Sequence, residues 1–283
     1  MKRLILGTAQ LGLAYGINNS NGKPPEKEAN AILELAQKRG IEILDTAPVY
    51  GNGHQIIRSF HQNHQSFKVG TKWTAKDGMD FKSIVVNHLE HLGVSQLEYL
   101  LLHDFSDLLL IDDFRPINEL KKSKKIKYFG VSLYHEDELE SLIHHQEVDL
   151  IQLPFNLLDC SLKKRQLIRM AKEKGKIIHT RSAFLQGLFF MRPLALPQKI
   201  SALATPLSEL IQLAQENQLS MSQMALAFTF SFPDIAGVLI GVETSRQLEE
   251  NLSLLNCQLD QKLIQRIEQV KVEHRELLLP FNW

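Results

Sequence analysis

The sequence predicts a (β/α)8 barrel, an α/β fold in which helices surround eight parallel strands. Short apolar runs alternate with amphipathic segments along the chain, as expected when strands buried on both faces are joined by helices. Eight such runs occur, and barrels of this type commonly have about 250 residues, near the 283 residues of this chain. We therefore expect one domain over residues 1–283.

The predicted strands are β-prone runs bounded by turn residues. They are expected at Arg3–Gly7, Glu42–Leu44, Lys68–Thr71, Tyr99–Leu102, Tyr128–Val131, Leu150–Leu153, Ile177–Thr180 and Gly237–Ile240. Between the first two, the segment from Glu26 to Arg39 has apolar residues at helical spacing, with Pro25 suited to its first turn and Gly40 ending it. Similar patterns in the later gaps predict the other helices.

The gap before the last strand is unusually long. Both Ala204–Gln215 and Met221–Phe230 have helical patterns there, so one of them is an extra helix near the carboxyl end. An open doubly wound sheet is the competing fold, but it usually has a G-x-G-x-x-G turn after the first strand. The segment from Gly7 to Gly12 has the wrong spacing for that turn, which favours the barrel.

Composition points to a small-molecule partner. Lys plus Arg equal Asp plus Glu at 32 each, so no overall charge attracts nucleic acid or an anionic membrane. The apolar run at the amino terminus is too short for a signal peptide or a membrane span, and two cysteines argue against a disulfide framework. We expect a cytoplasmic protein and make no prediction of its oligomeric state.

Four polar residues follow three successive predicted strands, where barrel enzymes carry their chemistry. Asp45 and Tyr50 lie in the segment from Leu44 to Gly51, Lys72 follows the third predicted strand, and His103 follows the fourth. Reduction of a carbonyl group needs a hydride at carbon and a proton at oxygen. A phenol beside an ammonium group can supply that proton, and a carboxylate can hold the ammonium in place. The four residue types are compatible with this chemistry.

The order and spacing of these residues resemble the aldo-keto reductases, and the resemblance extends over nearly the whole chain. It implies an NAD(P)H-dependent oxidoreductase that converts an aldehyde or ketone to an alcohol. In that mechanism Tyr50 donates the proton, Lys72 assists it, Asp45 holds Lys72, and His103 orients the carbonyl or relays a proton. Taken singly, each residue also has a structural explanation in a turn, a cap or packing.

The same resemblance assigns the cofactor site. By the family match, Ser132 and Gln152 bind the nicotinamide carboxamide; without that match, both could equally be cap or turn residues. The segment from Ile240 to Asn251 resembles the part of the family that holds the adenosine phosphates, with Thr244 or Ser245 capping a helix. The implied cofactor-binding residues are Gly7, Thr8, Ser132, Gln152, Arg181, Gly241, Glu243, Thr244, Arg246, Gln247, Glu250 and Asn251.

Three departures from the family pattern matter. Leu133 stands where many members have Asn, so a contact to the carboxamide is missing or replaced. Arg181 stands where an aromatic residue often stacks on the nicotinamide; it could support the cofactor, bind an anionic or sugar-linked substrate, or form a structural ion pair. Glu243 replaces a common cation and would repel a 2'-phosphate, whereas Arg246 could attract it. We expect NADPH to be slightly favoured over NADH because NADPH is the usual cofactor of the family that the chain resembles; NADH is also possible.

Other features are less specific. Trp73, beside Lys72, is a candidate substrate contact, and the apolar tail from Leu277 to Trp283 is expected to pack on the barrel. No metal site is expected from seven of the other histidines, which we interpret as exposed helix residues. These histidines are His54, His61, His64, His88, His91, His144 and His145.

Two alternative functions remain open on sequence grounds. One is a cofactor-binding regulatory or sensor protein, and the other is a sugar-modifying enzyme with transient redox.

Overall fold

The computed structural model describes residues 3–74 and 80–283 and has the predicted closed barrel. All neighbouring strands are parallel and follow one another in chain order, with the first pairing to the last. The strands are β1 (Arg3–Gly7), β2 (Ile43–Asp45), β3 (Lys68–Trp73), β4 (Leu97–Leu102), β5 (Ile126–Ser132), β6 (Leu150–Pro154), β7 (Ile177–Arg181) and β8 (Gly237–Ile240). The closed ring excludes the doubly wound sheet.

Helices surround the barrel and connect its strands. They are α1 (Ala9–Gly12), α2 (Glu26–Lys38), α3 (Gly53–Asn63), α4 (Phe81–Leu92), α5 (Arg115–Lys122), α6 (Glu136–Leu142), α7 (Leu162–Glu173), α8 (Ala204–Glu216), α9 (Met221–Phe230), α10 (Ser245–Ser253) and α11 (Gln261–Gln269). Both α8 and α9 lie between β7 and β8, which confirms the extra helix near the carboxyl end. Within the described ranges, no helix has the length and apolar character that a membrane span needs.

The predicted first helix illustrates how sequence determines these elements. In α2 the buried residues Ala29, Ile32, Leu33 and Ala36 recur at helical spacing and form one face. The helix begins after Pro25, and Gly40 follows its end with a φ of +76°, a left-handed conformation that glycine adopts without a steric penalty.

Two apolar layers build the core. The larger layer lies between the barrel and the helices, and the smaller one fills the barrel interior. The interior cluster consists of Ile5, Ile43, Tyr99, Leu101, Leu150 and Leu239, with Tyr128 and Ile177 packed against it. Because side chains alternate along a strand, the same strands carry polar groups inward at their carboxyl ends, directly above this cluster.

Candidate active site

Asp45 and Lys72 form a buried ion pair at the carboxyl end of the barrel. Asp45 is the last residue of β2, and Lys72 lies on the neighbouring strand β3. The side chains are only 4% and 2% exposed, respectively. Lys72 Nζ donates a hydrogen bond to Asp45 Oδ1 and a second one, of 3.2 Å, to the carbonyl oxygen of Thr46. The two strand ends therefore bring together the carboxylate and the ammonium group that the sequence places 27 residues apart.

The second oxygen of Asp45 accepts two further hydrogen bonds. Tyr99 donates from its hydroxyl group at 2.9 Å and Gln152 from its amide nitrogen at 2.8 Å, both to Oδ2. Burial by itself disfavours a charged lysine, but the charge and hydrogen bond of Asp45 outweigh it, so the pKa of Lys72 is raised. Lys72 is therefore an ammonium group, held by a carboxylate with three side-chain partners.

Tyr50 lies in the loop after β2, above this pair. Lys72 Nζ is 5.3 Å from the centroid of the Tyr50 ring. The loop is fixed by a close approach to α1, because a Cβ atom on Gly12 would lie 1.8 Å from the Tyr50 carbonyl oxygen. Gly51, with a φ of +56°, supplies the turn that follows. The Tyr50 phenol, on a loop fixed against α1, is thus near the Lys72 ammonium group of β3.

His103 follows β4, and its backbone nitrogen donates a 2.7 Å hydrogen bond to the Trp73 carbonyl oxygen. Burial is the largest cause that lowers the pKa of His103, followed by the positive charges of Lys72 and Arg181; together they bring it to about 4. The imidazole is consequently neutral at neutral pH. A neutral ring can donate one hydrogen bond to a substrate oxygen without adding charge.

Trp73 does not occupy the place expected for a substrate contact. Its side chain is 0% exposed and packs on Phe81, with ring centroids 4.9 Å apart. The physical reason is the alternation along β3: Lys72 points into the barrel, so Trp73 points outward into the layer beneath the helices. Trp73 is absent from the described lining of the cavity beside Tyr50.

Arg181, the last residue of β7, stacks on an aromatic ring. Its guanidinium carbon lies 4.2 Å from the centroid of the Tyr134 ring, and Nη2 donates a 3.1 Å hydrogen bond to the Leu133 carbonyl oxygen. Within residues 3–74 and 80–283 it has no salt bridge, so the structural ion pair considered from sequence is not found. Phe281 of the carboxyl-terminal tail packs edge-on against the same Tyr134 ring, with the ring centroids 5.0 Å apart. The tail therefore reaches the rim of the site, as well as packing on the barrel through Leu278 and Leu279.

A cavity of about 530 Å³ opens beside Tyr50 and extends towards α10. Most of the residues assigned to the cofactor from the family match line it. They are Gly7, Thr8, Arg181, Gly241, Glu243, Gln247, Glu250 and Asn251. Two further lining residues, Tyr15 and Gln186, are joined by a 2.8 Å hydrogen bond. The lining includes both Tyr50 and residues of α10, so the cavity connects the candidate proton donor with that helix.

Ser132, the last residue of β5, and Gln152, in the middle of β6, are buried and paired in the sheet register. Gln152 is not a cap residue, since its amide nitrogen binds Asp45. Its amide oxygen is buried and has no hydrogen-bond partner among the described residues. A buried acceptor of this kind normally finds a donor, and a carboxamide NH₂ group is a suitable one. The amide oxygen of Gln152 therefore fits a nicotinamide carboxamide, but neither Gln152 nor Ser132 belongs to the described lining of the cavity.

The amino end of α10 is capped from two directions. Thr244 is the N-cap and accepts a hydrogen bond from the Gln247 backbone nitrogen at 3.1 Å, as its position predicts. Glu28 of α2 accepts from the backbone nitrogen and the hydroxyl group of Ser245 at 2.6 and 2.9 Å. Arg246 lies outside the cavity lining, 87% exposed and paired with Glu250. The helix terminus therefore carries a carboxylate, and the nearby cation is already paired.

The interpretation of the histidines as exposed is wrong for His88, which is buried, and for His54, His61 and His145, which are partly buried. The rings of His54 and His88 meet edge to face at 5.8 Å. Burial is the main cause that lowers the pKa of His54 to about 4, with His88, His91 and Lys72 adding to it. The error at His54 and His88 arose because α3 and α4 pack against each other, which the sequence of either helix alone does not show. The described residues contain no group of His, Cys, Asp or Glu arranged to hold a metal ion.

Two residues of the site were missed in the sequence. Tyr99 carried a usable signal, because it lies four residues before His103 in a leucine-rich strand and so faces the barrel interior on the same side. Glu28 carried none, since its contact with Ser245 joins residues 217 positions apart.

Comparisons with known proteins agree with this geometry. A sequence profile described as the aldo/keto reductase family matches residues 3–272. The oxidoreductase YqkF of Bacillus subtilis, described as uncharacterized, is 23% identical, over 91% of this chain and 92% of that protein. The NADH-specific methylglyoxal reductase of Escherichia coli is 24% identical, over 92% of this chain and 95% of that protein. A solved aldo-keto reductase from Bacillus halodurans, in its holo form, has a TM-score of 0.75 at 19% identity and matches 96% of this chain and 95% of its own.

Proposed function

Because the chain belongs to the aldo/keto reductase family and is an NAD(P)H-dependent oxidoreductase that reduces carbonyl groups, we propose that Tyr50 is its proton donor. The observation that carries this proposal is the position of the Tyr50 ring, 5.3 Å from the buried Lys72 ammonium group and on the cavity wall. A positive charge beside a phenol stabilises the phenolate that remains after proton transfer.

The roles of the neighbouring residues follow from their protonation states. Asp45 holds Lys72 in place, and neutral His103 donates a hydrogen bond to the carbonyl oxygen of the substrate. A bound reduced nicotinamide would supply the hydride for the carbonyl carbon, and Tyr50 gives its proton to the carbonyl oxygen, so that the product is the alcohol. Solvent then returns a proton to Tyr50. By the family match, Gln152 and Ser132 would hold the carboxamide of the nicotinamide, and the amide oxygen of Gln152, unpaired among the described residues, would accept a hydrogen bond from it.

Turnover should be tested with a panel of aldehydes and ketones, measured by the absorbance of the reduced cofactor. Small 2-oxoaldehydes belong in the panel because the Escherichia coli relative is named for methylglyoxal. Consumption of the reduced cofactor with formation of the alcohol identifies the carbonyl compounds that the protein reduces. Cofactor binding without hydride transfer to any compound would favour a sensor protein, and regeneration of the cofactor within each cycle would favour a sugar-modifying enzyme.

The preferred cofactor is NADH. From sequence NADPH is slightly favoured, but the carboxylate of Glu243 lines the cavity near α10, and that of Glu28 binds Ser245 at the amino end of the same helix. Glu28 already occupies the backbone nitrogen of Ser245, a group that would otherwise bind phosphate, and Arg246 is paired with Glu250. Carboxylates repel a 2'-phosphate and accept a hydrogen bond from a ribose hydroxyl group.

Fluorescence titration with NADH and NADPH tests this preference directly. NADH should bind more tightly to the wild type, and the difference should shrink in Glu28→Gln and Glu243→Gln because each removes one negative charge. Glu26→Gln is the matched control, since Glu26 lies in the exposed first turn of the same helix as Glu28. Tighter binding of NADPH by the wild type would overturn the assignment.

The substrate carries an anionic group close to its carbonyl. Arg181 lines the cavity, lacks a carboxylate partner among the described residues, and is held by Tyr134 and Leu133. Its charge also helps to lower the pKa of His103, which places the guanidinium within electrostatic reach of the reacting centre. Matched pairs of neutral and carboxylate-bearing aldehydes should show a preference for the charged member that Arg181→Leu abolishes. Equal kcat/KM for both members in the wild type would exclude this substrate class.

A further inference from the structure

We propose that Tyr99 is a positioning residue for the reduction: from inside the barrel, its hydroxyl group fixes Asp45 and thereby sets the charge that Lys72 presents to Tyr50. The inference rests on the proposed role of Tyr50. Tyr99 is 0% exposed and is not part of the described lining of the cofactor cavity, so it acts through Asp45 and not by touching cofactor or substrate.

The barrel is built to accommodate this phenol. A Cβ atom on Gly70, the residue paired with Tyr99 across β3 and β4, would lie 1.8 Å from Tyr99 Cε2 and 2.0 Å from Cζ. The aromatic ring therefore occupies the space that a side chain of β3 would fill. His179 supports the ring from another side, edge to face at a centroid distance of 5.5 Å. A large residue matched to a glycine on the next strand is held in one position.

The hydroxyl group of Tyr99 lies at the boundary between the apolar barrel interior and the polar candidate active site. Below the Tyr99 hydroxyl group lies the apolar interior cluster, and above it lies the Asp45 carboxylate. Burial, and then the negative charge of Asp45, raise the pKa of Tyr99 well above its ordinary value. Tyr99 therefore keeps its proton throughout the working pH range and can only donate to Asp45.

The hydrogen bond has an electrostatic consequence for the reaction. Tyr99 and Gln152 both donate to Oδ2, while Lys72 donates to Oδ1, so the negative charge of Asp45 is shared among three partners. Without the Tyr99 donor, Asp45 would neutralise Lys72 more completely. The phenolate of Tyr50 would then be less stabilised, which makes Tyr50 a weaker acid and slows proton transfer.

Replacement of the hydroxyl group alone tests the proposal. Tyr99→Phe keeps the ring that fills the space at Gly70, and loss of a hydrogen bond to a charged group should lower kcat by about tenfold. The KM values for cofactor and substrate should not change, and the basic limb of the pH profile of kcat should move to higher pH. Tyr128→Phe is the matched control, because Tyr128 pairs with Tyr99 on β5 and packs against the same cluster.

Three outcomes separate the possibilities. A lower kcat with a shifted pH profile in Tyr99→Phe, and neither change in Tyr128→Phe, supports the proposal. Wild-type values of kcat and a wild-type pH profile in both variants would overturn it. A lower kcat in Tyr99→Phe that is fully explained by the fraction of unfolded protein, with an unchanged pH profile, would also overturn it. Gly70→Ala provides a second variant, since displacement of the ring should move the profile in the same direction. Failure of the proposed role of Tyr50 is distinguished by Tyr50→Phe, which would then keep the kcat of the wild type.

Discussion

Lys72→Met removes the ammonium group at the centre of the site while keeping an unbranched side chain. Breaking a buried ion pair by removing one partner commonly costs about 3–5 kcal/mol of unfolding free energy. Asp45 would keep its hydrogen bonds from Tyr99 and Gln152, so we expect the lower end, about 3 kcal/mol. The effect on catalysis should be separate: loss of assistance to the proton donor lowers kcat by about a hundredfold or more.

Urea unfolding and steady-state kinetics of the same variant measure the two effects. Lys164→Met is the matched control, because Lys164 and Asp159 form another buried pair, 4% and 5% exposed, at the start of α7. It should lose comparable stability but keep its kcat. An unchanged kcat in Lys72→Met, or an equal loss of kcat in Lys164→Met, would refute the reasoning that the Lys72 charge serves the reaction and not only the fold.

Three further predictions concern the surroundings of the site. Because the pKa values of His54 and His103 are about 4 in the folded protein and about 6.5 in an unfolded chain, the unfolded chain takes up more protons as pH falls. The unfolding free energy should therefore drop between pH 7 and pH 5 by about 2 kcal/mol per histidine, and urea titrations of His54→Asn and His103→Asn should each show a smaller drop. Thr244→Ala should cost about 1 kcal/mol through loss of the helix cap, and NADH titration should show weaker binding. Gly12→Ala should destabilise the protein by about 1–3 kcal/mol, measured by thermal unfolding, and should lower kcat because the added methyl group displaces the Tyr50 loop.

Strand positions could be predicted because each strand has a local signature. The strand Gly237–Ile240 was predicted with its observed bounds, while β2 begins and ends one residue later than expected, so that Asp45 is its last residue. That shift follows from pairing with β1 and β3, where Asp45 is in register with Gly7 and Gly70. The register of such pairing depends on the neighbouring strands, so the exact ends of a strand are difficult to predict from its own sequence.

The contacts of individual side chains were much less predictable. The interaction of Asp45 with Lys72 was expected from the resemblance, but Tyr99 completes the group from 54 residues away. Arg181 stacks on Tyr134 and forms no ion pair within the described ranges. These partners depend on the register between strands and on the direction in which each side chain points. Alternation of polar and apolar residues predicts the direction within one strand but not the register between two strands.

The central claim is that Tyr50 protonates the carbonyl oxygen as hydride is transferred. The direct measurement is single-turnover oxidation of enzyme-bound NADH by a reactive aldehyde, compared in the wild type and in Tyr50→Phe, with the Kd for NADH measured in both. We predict rapid oxidation in the wild type, loss of oxidation in Tyr50→Phe, and nearly equal Kd values. Oxidation at the wild-type rate in Tyr50→Phe would contradict the claim.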